Sequence, residues 1–331
     1  MSSSDPAFGR VLRQLVDLGV LKLEMEPLDA VIERRLKQFW ESRTCPQCGN
    51  PTIRSWESTD RVHCRSCQFK PVYTYGTPFH EKHLSCGEVL LSFMLYADTL
   101  LSISQIAVLL DRAYKTVFYA IKEVEAAVHR GFPLVWSQFQ HTISGPTQID
   151  ESGKVCSGFK GQDPPRDSRH RGGSSRTGRT RWKGRHGDQL TLVAACRDAL
   201  RVIRGKLGIA YETDLEPVME ETADLSQPLG EVWTDGLQAY RRMEHDHKIV
   251  IHDETYVSSE GIHINQVECL FSLVKPWLRK FRGLSKHGLE QAAHTFGIVR
   301  SVNLIGASFE FLVDCLLLGD STALHKSDYF L

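Results

Sequence analysis

The spacing of hydrophobic residues changes character twice along the chain. From His83 onward Val89, Leu90, Phe93, Met94 and Ala97 recur at intervals of three and four, the spacing of a helix that buries one stripe. Ser102 to Leu110 predicts a short second helix, Asp111 to Tyr114 interrupts it, and Val117, Ala120, Ile121, Val124 and Val128 predict a third. Short helix, tight turn and longer helix form a helix-turn-helix pattern, with Lys115, Thr116, Tyr119 and Lys122 on or near the outer face of the last helix. A plain three-helix packing unit leaves the same stripe. The pattern therefore identifies the core face but not what the outer face touches.

Beyond residue 140 the chain reads as strands. Gly145 to Glu151 predicts a strand running into two carboxylates, and Gln189 to Cys196 and Leu200 to Ile203 predict two neighbours joined by a turn at Asp198. Thr213 to Leu225 has helical spacing. Glu231 to Gly236 is a strand stopping at Asp235, and Lys248 to His252 is a fifth strand candidate. A late helix is expected over His263 to Phe281. At about 100° per residue its Ile264, Val267, Leu270, Phe271, Val274, Leu278 and Phe281 share one apolar stripe, with Glu268 and Lys275 along its edge and Pro276 kinking or re-pairing the backbone.

Three acids stand where they could meet, although isolated acids at strand ends and helix edges are usually solvated. Asp150 and Asp235 close neighbouring strands, and Glu268 borders the buried stripe of the helix above them. Carboxylates are the ligands hard divalent cations prefer, and two Mg²⁺ (or Mn²⁺) about 4 Å apart suit phosphodiester chemistry. Glu151, Asp253 and Glu254 share the charge and the neighbourhood but not the expected geometry.

Composition adds a second metal. Of nine cysteines, Cys86, Cys156, Cys196, Cys269 and Cys315 are scattered, whereas Cys45, Cys48, Cys64 and Cys67 form two C-x2-C pairs around residues 49–63. Two such turns deliver four thiolates to one tetrahedral Zn²⁺, a closed structural set that a small ribbon needs in order to fold. Disulfides compete for the same cysteines, but no basic and apolar leader opens the chain, and a reducing compartment is expected.

The 331 residues carry zero formal net charge, with 41% hydrophobic and 24% charged residues, which fits a globular chain of more than one domain with no membrane span. Charge is concentrated locally. Arg166, Arg169, Arg171, Arg176, Arg179, Arg181, Lys183 and Arg185 face only Asp167 and are interleaved with glycines. Such a loop is either solvated or neutralised by phosphates, and its self-repulsion favours nucleic acid.

The cysteine knuckles, the helix-turn-helix, Ile149-Asp150-Glu151, Thr234-Asp235-Gly236, and His263-x-Asn265-x-x-Glu268 followed by Leu273-Val-Lys275 together resemble the zinc-ribbon DDE transposases of bacterial and archaeal insertion sequences. The likeness runs from Cys45 to Asn303. Ser152-Gly153-Lys154 and residues 281–289 depart from the family's usual motifs. The resemblance implies an α/β fold with an RNase H-like catalytic core and mixed sheet over 140–310. A helical leader region (1–40), a zinc ribbon (41–80) and a helix-turn-helix module (81–135) precede it, and a C-terminal tail (311–331) follows. It also implies Asp150, Asp235 and Glu268 as catalytic metal ligands, with His263, Asn265 and Lys275 in support. The expected substrate is double-stranded DNA: transposon terminal inverted repeats are cut and joined to target DNA by a homo-oligomer in the cytoplasm, associated with the nucleoid. Two other readings use parts of the same pattern. A structure-specific metal-dependent nuclease would share the acidic site, and a non-catalytic zinc-ribbon regulator would share only the N-terminal half.

Overall fold

A computed structural model describes residues 7–17, 26–51, 53–55, 59–138, 143–153, 190–207, 212–226, 229–235, 240, 247–250, 256–281, 286–306 and 308–318. They fall into two compact units, Met1–Gln138 with Phe309–Leu331, and Phe139–Ser308.

The first unit contains helices α1 (Ala7–Asp17) and α2 (Glu26–Glu41), a hairpin of β1 (Ile53–Ser55) and β2 (Val62–Cys64), and helices α3 (Cys86–Asp98), α4 (Ile103–Leu109) and α5 (Tyr114–Gln138). Local chemistry sets the helix starts. Ser85 and Glu88 form a reciprocal capping box at α3, and Ser102 and Gln105 form another at α4, so first-turn amides with no intrahelical partner are bonded in both helices. Asp111, at φ 56°, turns the chain out of α4, since a short polar side chain tolerates the left-handed region. The expected stripe forms the core except at Met94, which is half-buried. Val89, Leu90, Phe93, Ile106, Val117, Ala120, Ile121 and Val124 are all buried.

The last helix, α9 (Ser308–Leu318), covers part of what the sequence pattern assigned to a C-terminal tail. Phe311, fully buried, lies 5.9 Å from the ring of Phe132 and 6.1 Å from that of Trp136 on α5. Gly131 explains the close approach. A Cβ there would stand 2.0 Å from the Cys315 carbonyl oxygen.

The second unit is built on a mixed five-stranded sheet of β3 (Thr147–Gly153), β4 (Leu190–Arg197), β5 (Leu200–Leu207), β6 (Val232–Asp235) and β7 (His247–Val250), in the order β5-β4-β3-β6-β7. The first three strands form an antiparallel meander, with Asp198 at φ 49° in the turn between β4 and β5. β6 and β7 run parallel to β3. Helix α6 (Glu212–Ser226) supplies the crossover that a parallel connection needs. Helix α7 (Asn265–Leu278) buries Val267, Leu270, Phe271, Val274, Trp277 and Leu278, continues through Pro276 and stops before the expected Phe281. Helix α8 (Lys286–Leu304) packs on β5, where Ser301 Oγ accepts the Arg201 amide at 2.8 Å and a Cβ on Gly297 would meet the Arg201 carbonyl oxygen at 2.7 Å.

Candidate metal centres and nucleic-acid interface

The carboxylate site begins with register. Thr147 pairs with Val232 and Gln148 with Trp233, so continuing the two parallel strands by two residues brings Asp150 level with Asp235. Side chains alternate along a strand, and Gln148 and Asp150 therefore share a face. The site lies at the carboxyl end of β6 and midway along β3, which was expected to stop at its acids but continues to Gly153 paired with β4.

Asp150, Glu151 and Asp235 offer oxygens that all lie within 4.8 Å of one another. Glu151 was expected to stand apart from this geometry. The structure corrects that: the side chain, one methylene longer than aspartate, turns back into the group and accepts a hydrogen bond from the hydroxyl of the fully buried Tyr240. Three converging carboxylates are costly unless protons or cations share the site. Burial, followed by repulsion from Glu151 and Asp235, lifts the Asp150 pKa to about 8 against the opposing pull of the Glu151 amide, which donates to Asp150 Oδ1 at 2.8 Å. Burial likewise raises Glu151, and burial together with the nearby carboxylates pushes the Tyr240 hydroxyl far above its ordinary range. At neutral pH the Tyr240 proton stays on oxygen and is donated.

Glu268 sits in the first turn of α7 and is solvent-exposed. Its charge reaches Asp150 and adds to the upward shift there, but its carboxylate is not one of the three within 4.8 Å. What brings it near is Gln148, which spacing and charge did not single out. The buried Gln148 side chain accepts the Gln266 amide at 2.9 Å and faces His263 Nδ1 at 3.3 Å, tethering the start of α7 to β3 two residues before each of Asp150 and Glu268. His263 also meets Trp233 edge to face at 5.4 Å. It braces the helix start against β6. Asn265 opens α7, and Lys275 lies 5.7 Å from the ring centroid of Phe271. A polar residue two positions before a strand-end acid was the available signal for Gln148, whereas no periodicity marks Tyr240. Asp253 and Glu254 lie outside the described residues.

The four cysteines converge in the first unit, with their sulfurs within 4.8 Å of one another. The two knuckles are built alike. Cys45 donates its amide to the Asn50 carbonyl (2.9 Å) and accepts from the Gly49 amide (2.7 Å). Cys64 donates to Phe69 (2.9 Å) and accepts from Gln68 (3.1 Å). The residue four places after each leading cysteine is left-handed, Gly49 at φ 74° and Gln68 at φ 63°. Cys45 and Cys67 sulfurs are 3.6 Å apart, and Cys48 and Cys64 sulfurs 3.7 Å. Zn–S bonds of about 2.3 Å in a tetrahedron place sulfurs about 3.8 Å apart, so the cage has the size of a Zn²⁺ site. The Phe69 amide favours the Cys67 thiolate, but burial and the three neighbouring thiols outweigh it and push the thiol to about 12. Beneath the cage Trp40, Cys45, Ile53, Val62 and Cys64 form a small core, and Trp40 Nε1 donates to the Tyr73 carbonyl at 2.7 Å.

The outer face of α5 is divided. Lys115 and Tyr119 are exposed, and Tyr114 and Tyr119 flank the partly exposed Phe118. Lys122 differs from expectation. It is paired with the buried Glu125, which also accepts from Tyr96, so its ammonium is committed to the helical core. The arginine-rich stretch, with Arg166, Arg169, Arg171, Arg176, Arg179, Arg181, Lys183 and Arg185, lies outside the described residues. Among the described residues, no helix is long and apolar enough to cross a membrane.

Residues 166–291 match the ISXO2-like transposase domain, a span that includes Asp235 and Glu268 and begins after Asp150. A protein of a transposable element, ISH50, from Halobacterium salinarum is 29% identical over 270 residues, covering 78% of this chain and 85% of the relative. Among solved structures, a pre-cleavage Mos1 transpososome aligns with 66% of this chain and 77% of its own, at 11% identity and a TM-score of 0.22.

Proposed function

We propose that this chain, a member of the insertion-sequence DDE transposases, cuts DNA at the element's ends and joins those ends to target DNA at a site formed by Asp150, Asp235 and Glu268. The observation that carries the assignment is the level placement of Asp150, within β3, and Asp235, at the carboxyl end of the adjacent parallel β6, with the start of α7 tied to β3 by Gln148. The sheet order and direction support an RNase H-like core, since an antiparallel meander whose first strand pairs with a parallel fourth, and that with a fifth, is the order of that fold.

The carboxylate set suits two Mg²⁺ or Mn²⁺ ions, which when bound would stabilise charge on the phosphate and on the attacking and leaving oxygens. The chain's own residues have separable tasks. Asp150 and Asp235 hold the centre, Glu268 closes it from the helix, Gln148 and His263 fix the position of that helix, and Lys275 supplies positive charge two turns further along α7. Cys45, Cys48, Cys64 and Cys67 hold one structural Zn²⁺, with no position left for substrate. Helices α4 and α5 form the helix-turn-helix, presenting Lys115 and Tyr119 to double-stranded DNA, and the arginine-rich segment contacts phosphates. The domain limits follow the expectation of a leader, ribbon, helix-turn-helix and catalytic core, acting as a homo-oligomer on terminal inverted repeats and target DNA.

The test is a cleavage and joining assay in Mg²⁺ or Mn²⁺ on DNA carrying the element's own ends. Wild type should give both cut and joined products, while Asp150→Asn, Asp235→Asn and Glu268→Gln should lose both and still bind the ends. Near-normal cleavage by any of the three would overturn the site. Cutting with no joined product, target DNA being present, would favour a structure-specific nuclease.

A further inference from the structure

We infer that Glu151 is a fourth carboxylate of the catalytic centre and that Tyr240 is the positioning residue that aims it; the inference rests on the metal-dependent reading above. Adjacent residues of a regular strand project to opposite faces, and β3 is regular here, with Asp150 opposite Ala194 and Glu151 opposite Val193 on β4. Glu151 should then point away from Asp150. Instead its carboxylate converges on both Asp150 and Asp235. Repulsion among three acids opposes that arrangement, so something must hold it in place.

The Tyr240 hydroxyl meets the requirement. Its ring is fully buried, leaving the hydroxyl no water to bond, and it donates to Glu151 Oε2. One carboxylate oxygen is thereby occupied and its orientation fixed. The remaining oxygen is available to the same cation that Asp150 and Asp235 would share. Glu268, exposed on α7, stands outside this inner group, so the three inner acids form the half of the centre that exists before a helix-borne ligand closes it. Hydrogen-bond partners of metal ligands commonly matter about 10–100-fold for metal affinity or activity because they fix ligand orientation.

The test compares wild type with Tyr240→Phe and Glu151→Gln in the full-length protein. The phenylalanine keeps the buried ring and removes only the donor. Two readouts are needed: Mn²⁺ binding followed by the loss of the free-ion electron paramagnetic resonance signal, and Mg²⁺ dependence of end cleavage. Tyr240→Phe should weaken Mn²⁺ binding and raise the half-saturating Mg²⁺ by about tenfold or more, with cleavage recovering at high Mg²⁺. Glu151→Gln should weaken Mn²⁺ binding at least as much, and adding Tyr240→Phe to it should change little further, because the hydroxyl acts through that carboxylate. If both single variants bind Mn²⁺ within twofold of wild type while Asp150→Asn abolishes binding, this inference fails and the metal-dependent reading stands. If wild type itself binds no Mn²⁺, both fail. Should Tyr240→Phe not fold, Glu151→Gln decides the role of the carboxylate alone.

Discussion

At the scale of single residues the carboxylate centre is strained by its own charge. Asp150 titrates near 8 rather than 3.8, first because it is buried and next because Glu151 and Asp235 face it. The sign follows from linkage. Protonated Asp150 is tolerated by the fold, so its contribution is fully present below about pH 4 and is lost as pH rises through about 8. Asp150→Asn, which carries no charge at any pH, should therefore melt at the same temperature as wild type in strong acid and progressively higher between pH 4 and 8, in EDTA-treated protein followed by circular dichroism. Mg²⁺ should close that gap by raising wild type alone. Parallel melting curves across the pH range would show that the repulsion does not exist. The cysteine cage makes a different demand. Against the pull of the Phe69 amide, burial and the neighbouring thiols push Cys67 to about 12, so that thiol stays protonated without metal, and the core under the cage is small. Cys45→Ser should drop bound zinc from one equivalent to near zero and open residues 45–67 to proteolysis, read by metal analysis and peptide mapping.

At the scale of elements, two close approaches set where helices lie. Gln148 couples α7 to β3 through a buried side chain bonded to the Gln266 amide and facing His263. Gln148→Met keeps the volume and removes both polar atoms. It should lower cleavage about 10–100-fold while DNA binding in a mobility-shift assay stays within twofold, since Glu268 loses its reference to Asp150 and the DNA-binding surfaces are untouched. Unchanged cleavage would show that α7 is placed by its apolar stripe alone. Gly131 plays the corresponding part for α9. With the Cys315 carbonyl 2.0 Å from where a Cβ would be, Gly131→Val cannot be absorbed by a rotamer and should cost about 3 kcal/mol or more in chemical denaturation.

At the scale of the whole molecule, a chain of zero formal net charge has to bind a polyanion by local concentration of charge. Lys122 is held by Glu125, which shifts the burden to Lys115 and to the arginines between residues 166 and 185. Replacing Arg176, Arg179, Arg181 and Arg185 with glutamine should weaken binding to all DNA sequences alike and flatten the slope of log affinity against log salt by about three to four units, near one unit for each phosphate no longer neutralised. Fluorescence anisotropy at several salt concentrations reads this directly. An unaltered slope would assign the loop to solvent.

The sequence by itself determined whatever depends on neighbours close along the chain. The turn at Asp198, the apolar stripes of α5 and α7 and the two cysteine pairs are local patterns, and the structure has each where the spacing put it. The strand end at Asp235 was legible for the same reason, whereas β3 does not stop at Asp150 but runs on to Gly153, because its later residues pair with β4. Tertiary structure alone decided which distant groups meet. Strand alternation would send Glu151 away from Asp150, and only Tyr240, 89 residues further on, turns it back. Lys122 reads as an outward cation until Glu125 and Tyr96 are seen buried beside it, and residues 311–318 read as the start of a tail until Phe311 finds Phe132. In each case the deciding energy is the cost of burying a polar or apolar group without its partner, and that partner is chosen by the fold and not by spacing along the chain.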